Sequence, residues 1–195
     1  MFERFTKEAG AIVKAAVARA LKTDGGGVTP EHLLLAVLDE RHGPTADVLA
    51  RLGAAERRES MARAVEESRR RAGLSQADTE ALAELGIDVA EIVARVEETH
   101  GVGALSSPGD GFHFRRGDTP RGPRSHRHVS FSRGAKETLG KSLRIAAARK
   151  ERRIGAEHIL LALLVRPGIA AEVMADHGVT YTAVERLLPA SAEAR

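Results

Sequence analysis

The chain carries one apolar stretch twice, and that duplication restricts the folds open to it more than any local propensity does. Pro30-Glu31-His32-Leu33-Leu34-Leu35-Ala36-Val37-Leu38 returns as Ala156-Glu157-His158-Ile159-Leu160-Leu161-Ala162-Leu163-Leu164. Phe5-Thr6 and Phe131-Ser132 precede the two copies by equal intervals, a constant shift of 126 residues. Between these anchors Ala9, Val13, Val17 and Ala20 align with Ala135, Leu139, Leu143 and Ala146 at helical spacing. Further on, 46–53 aligns with 171–178, one residue having been lost in a turn.

Each copy reads as the start of a helix. Thr29 or Gly155 serves as N-cap, Pro30 or Ala156 fits the first helical position, and Glu31 or Glu157 meets the free N–H groups and the positive end of the helix dipole. A helix that is apolar all round after such a start is a buried one.

Composition narrows the class. Each repeat, at about 50–60 residues, is near the lower limit for burying a core alone, so the two halves are expected to pack together. The chain is 43% hydrophobic but only 3% aromatic, which favours helix against helix over sheets and gives an all-α expectation. No cysteine is present, which excludes a disulfide framework, a thiol nucleophile and a zinc–thiolate site. Residues 1–6 lack the apolar segment of a signal peptide, and no apolar run approaches the roughly 18 residues of a membrane span. A soluble, cytoplasmic protein with no membrane partner is expected.

Five segments are expected along the chain: repeat 1 over 1–53, a helical insertion over 54–99, a flexible basic linker over 100–128, repeat 2 over 129–188 and a fraying tail over 189–195. Helices are predicted over 6–22, 30–40, 45–52, 55–72, 76–85, 89–99, 132–149, 156–165, 169–176 and 182–188. Within 89–99, Val89, Ile92, Val93 and Val96 form the expected inward face. The stretch 112–128 holds five Arg and one Asp, more charge than the net +3 of the whole chain, so the rest is nearly neutral.

Several chemical motifs are present in outline only. Ala135-Lys136-Glu137-Thr138-Leu139-Gly140-Lys141-Ser142 satisfies the loose form of a phosphate-binding loop. That loop needs a preceding strand and a glycine-rich bend, whereas this stretch falls inside a predicted helix. Glu31-His32 and Glu157-His158 are adjacent on a helix, diverge by about 100° and do not converge on one ion. With no Ser/His/Asp arrangement either, no enzyme, cofactor or metal is expected. Arg115, Arg116, Arg121, Arg124 and Arg127 around Phe112, His113 and Phe114 could lie on nucleic-acid phosphates, but they lack a groove-reading helix, and a solvating tether is the better reading.

With Met1-Phe2-Glu3-Arg4-Phe5-Thr6, the duplicated Glu-His motif and Phe131-Ser132-Arg133-Gly134-Ala135-Lys136 laid out, the chain resembles the N-terminal (Clp-N) domain of Clp unfoldase ATPases, most closely the ClpC type, over 1–53 and 129–188. The resemblance implies a pseudo-twofold pair of four-helix repeats, here free-standing and without the ATPase module, that binds client proteins or Clp protease components. In the ClpC type the motif glutamates accept the guanidinium of phosphorylated arginine on marked proteins, which carries over to Glu31 and Glu157. Thr6 and Lys7 in one half and Ser132 and Arg133 in the other are expected near the phosphate. The family is also the target of cyclic-peptide antibiotics, whose contacts carry over to Phe2, Phe131 and Lys136. A scavenger or sensor of such peptides is one alternative reading, and nucleic-acid association through the linker another. The sequence departs from the family where Pro30 and Ala156 replace the usual Thr and where Ser132-Arg133-Gly134 replaces Thr-Pro-Arg.

Overall fold

The computed structural model describes residues 4–22, 27–71, 74, 76–100 and 129–188. Among them ten helices follow one another: α1 (Lys7–Lys22), α2 (Pro30–Leu38), α3 (Pro44–Arg51), α4 (Arg58–Arg70), α5 (Gln76–Glu84), α6 (Val89–His100), α7 (Arg133–Ala148), α8 (Ala156–Val165), α9 (Ile169–Asp176) and α10 (Tyr181–Leu187). The all-α, twofold-repeated architecture expected from the duplication is the one observed. No single helix among the described residues is long and apolar enough to cross a membrane.

Caps set the helix starts. Thr6 Oγ1 accepts the Ala9 N–H at 3.2 Å, and Ser132 Oγ accepts the Ala135 N–H at 3.1 Å, so α1 and α7 open with equivalent hydroxyl caps. At α2 and α8 the third helical residue is histidine, and its ring takes the role usually given to Glu or Gln. His32 Nδ1 accepts the N-cap N–H of Thr29 at 3.1 Å, and His158 Nδ1 accepts that of Gly155 at 2.9 Å. The histidines are thus cap acceptors, a role that residue spacing alone does not announce.

The two apolar helices pack on each other at the centre. Leu33, Leu34 and Val37 of α2 and Ile159, Leu160 and Leu161 of α8 are fully buried, in one cluster with residues of α1, α3, α4, α7, α9 and α10. The halves also exchange partners. α4 packs on α9 of the other repeat, and α10 packs on α3. The expected division puts α4 in the insertion, yet its Met61 and Val65 are 0% and 2% exposed within the common core. Residues beyond it are more peripheral. α6 packs on α4 and α5 through Val89 and Val93, while Ile92, expected to face inward, is 48% exposed because no described element covers that side. Leu143 on α7 is likewise 40% exposed, although its spacing aligns it with core positions.

Two short backbone ladders complete the exchange. Phe5 pairs in parallel with Ile154, and Val28 pairs in parallel with Phe131. The bonds are Thr6 N–H to Ile154 O at 3.0 Å and Ile154 N–H to Arg4 O at 2.7 Å, mirrored by Ser132 N–H to Val28 O at 2.9 Å and Val28 N–H to Ser130 O at 2.7 Å. Gly27 leads into the second ladder at φ +74°, and a β-carbon there would stand 2.6 Å from the Ser130 carbonyl oxygen. Both the left-handed backbone and the close approach require glycine. Gly27→Ala is therefore expected to lower unfolding free energy by about 1–3 kcal/mol, read by urea denaturation; an unchanged midpoint would show that the ladder is not strained by the substitution.

Candidate binding site at the paired helix starts

The ladders decide which residues meet. Because Thr6 bonds Ile154, the start of α1 lies beside the start of α8, which carries Glu157; because Ser132 bonds Val28, the start of α7 lies beside the start of α2, which carries Glu31. The helix that carries each motif glutamate therefore starts next to the capped helix start of the other repeat. The sequence supplies both members of each pair but gives no sign of the crossing.

The two carboxylates differ in their surroundings. Glu157 turns back over its own N-cap, where a β-carbon on Gly155 would lie 2.0 Å from its Oε1. Glycine at the cap makes that conformer available, and it leaves the Glu157 side chain 22% exposed, with Oε1 3.2 Å from His158 Nδ1. In repeat 1 the cap is Thr29, whose β-carbon closes the same route. Glu31 is only 7% exposed and lines a cavity of about 170 Å³ between α1, α2 and α4, together with Arg19, Lys22, Thr29, His32, Val65, Glu66 and Arg69. The two motif glutamates thus differ, Glu31 being buried and Glu157 partly exposed.

Electrostatics follow from burial. His32, 8% exposed, is pushed down to about 4 by burial, with the Arg69 and Arg19 guanidinium groups adding to the shift. Burial also lowers His158 against the opposing pull of Glu157 and Glu151. Glu151, Glu157 and His158 offer donor atoms within 4.8 Å of one another. However, the Nδ1 lone pair of His158 is taken by the Gly155 N–H, so the neutral ring carries its proton on Nε2 and has no free lone pair for an ion. That donor set does not fit a metal. At the start of α7, hydrogen bonding to Arg133 and then to Arg166 holds the Glu137 carboxylate below the ordinary range. Arg133 Nε lies 2.9 Å from Glu137 Oε1.

Phe131 lines a groove of about 720 Å³ along α1, with Phe5, Thr6, Lys7, Gly10, Val13, Lys14 and Val17. Apolar side chains form its floor and two lysines its rim. Lys136, the third position expected to contact cyclic peptides, is exposed on α7 and is not part of that lining; Phe2 lies outside the described residues. Phe5, Lys14 and Val17 join the groove without having been singled out as site residues, since α1 spacing shows a face and not what crosses it. The phosphate-loop look-alike 135–142 lies inside α7, where its N–H groups serve the helix. The basic stretch 112–128 lies outside the described residues.

Two cross-linked helical repeats with capped starts at their seam define an all-α tandem-repeat binding domain. A family model for the Clp repeat (R) N-terminal domain matches residues 4–78 and 130–194, and the chain belongs to that family. Members of the family are non-catalytic helical modules that bind substrates and adaptors of Clp unfoldases. The first matched segment runs past α4, in keeping with the place of that helix in the core.

Proposed function

We propose that this chain is a non-catalytic, cytoplasmic protein-binding module that recognises arginine-phosphorylated client proteins, with Glu157, Thr6 and Lys7 as its better-exposed site and Glu31 with Ser132 and Arg133 as the counterpart. The observation that carries this reading is the ladder joining Thr6 to Ile154, which sets the start of α1 beside the start of α8. A guanidinium suits the carboxylate through paired charge-assisted hydrogen bonds. The phosphate suits the ammonium group of Lys7 at the α1 start. The groove lined by Phe5 and Phe131 runs from the same helix start and supports a second reading, in which apolar cyclic peptides or the apolar residues flanking a phosphorylated arginine lie along α1.

Titration calorimetry with free phosphoarginine tests the first reading. Glu157→Ala is expected to weaken binding at one of two sites at least tenfold, and Lys7→Gln to weaken it less. In parallel titrations with an apolar cyclic peptide, Phe131→Ala should lose affinity while Glu157→Ala keeps it. Wild-type protein that gives no heat with phosphoarginine would reject the marked-client reading.

A further inference from the structure

The cavity around Glu31 has a charge pattern that the duplication does not account for. Its walls carry three cations, Arg19 and Lys22 from α1 and Arg69 from α4, against two acids, Glu31 and Glu66. The repeat-2 counterparts of Arg19 and Lys22 are Ile145 and Ala148, so this set belongs to repeat 1 alone. Glu31 as a whole residue is 7% exposed, yet its side chain makes no hydrogen bond or ion pair with a described residue. Arg19 is engaged with Asp39, and Arg69 is 3.4 Å from Glu66, so two of the three cations pair with acids other than Glu31. Glu31 and the three cationic residues thus line one space of about 170 Å³. A ligand matched to that space bears a cationic group for Glu31 and, within a few ångströms, an anionic group for the three cations.

We propose that Arg19, Lys22 and Arg69 supply the phosphate contacts of the Glu31 site, so that this site selects a phosphorylated guanidinium over an unmodified one. The assignment rests on the phosphoarginine reading above and replaces its partners at Glu31. Arg133 is directed to Glu137 at 2.9 Å, whereas Arg19 and Arg69 come near enough to His32, the next residue along α2, to lower its pKa. In a phosphoarginine the guanidinium and phosphate are directly bonded, so both charges fit one small cavity, and neither arginine nor inorganic phosphate satisfies both walls.

The test uses the full chain carrying Glu157→Ala, which leaves the Glu31 site as the one measured. Phosphoarginine, arginine and inorganic phosphate are titrated separately. Lys22→Gln and Arg69→Gln are each expected to weaken phosphoarginine binding about tenfold while leaving arginine binding within twofold, and Arg133→Gln is measured in parallel. Lys22 is exposed, so its substitution remains informative even if Arg69→Gln fails to fold, as monitored by circular dichroism. Unchanged phosphoarginine affinity in Lys22→Gln, or a loss confined to Arg133→Gln, overturns the assignment. Binding by wild type but not by Glu157→Ala removes the Glu31 site alone. Absence of binding by wild type removes the phosphoarginine reading and this assignment with it.

Discussion

Leu160→Ala should lower the unfolding free energy by about 3–4 kcal/mol, near the upper part of the range for buried leucine truncations. Leu160 is fully buried near the middle of α8, which packs on α2 and is surrounded by helices of both repeats. Such a site has little freedom to collapse, because shifting α8 also displaces the ladder at Ile154 and the partners on α3 and α10. The loss is expected to appear as one transition shared by the whole bundle, since no half keeps a core of its own. Urea denaturation followed by far-ultraviolet circular dichroism, with Tyr181 fluorescence as a second probe in repeat 2, checks this. Two separated transitions would mean that the repeats are energetically independent.

The second large effect is an acid sensitivity located at the start of α2. His32 has a folded-state pKa of about 4, below the ordinary value near 6.5 in the unfolded chain. The unfolded state therefore binds the proton first as pH falls. The stability that His32 contributes is full above about pH 6.5 and is lost progressively down to about pH 4, a total of roughly 3 kcal/mol. Protonation also ends the ring's role as acceptor of the Thr29 N–H. His32→Gln keeps a capping acceptor at that position but has nothing to titrate. Unfolding free energies measured between pH 7 and pH 4 should fall more steeply in wild type than in the variant. Parallel curves for the two proteins would show that the acid response arises elsewhere.

Much of the framework can be read from the chain itself. The duplicated motif, the capping hydroxyls Thr6 and Ser132 and the glycine turns encode ten helices and their pairing into two units, because caps and apolar periodicity are local properties. What remains hidden is non-local. Nothing in the spacing of Glu31 and Glu157 shows that one is buried and the other partly exposed; that depends on whether the N-cap residue has a β-carbon and on α4 closing over repeat 1. Arg69 was beyond reach for the same reason: it lies 38 residues from Glu31 in a charged helix whose exposed-looking composition masks Met61 and Val65 in the core. Ile92 failed in the opposite direction, since an apolar stripe needs a neighbour and none of the described elements lies against that side.

The exchanged ladders, each half lending its leading edge to the other, are what two identical subunits would make across a symmetry axis, with every contact occurring twice. Joining such a pair into one polypeptide preserves the geometry but frees either copy to change without altering its twin. The glycine at position 155, where the first copy has threonine at position 29, records that freedom: one repeated acidic position now lies in two surroundings of unequal depth.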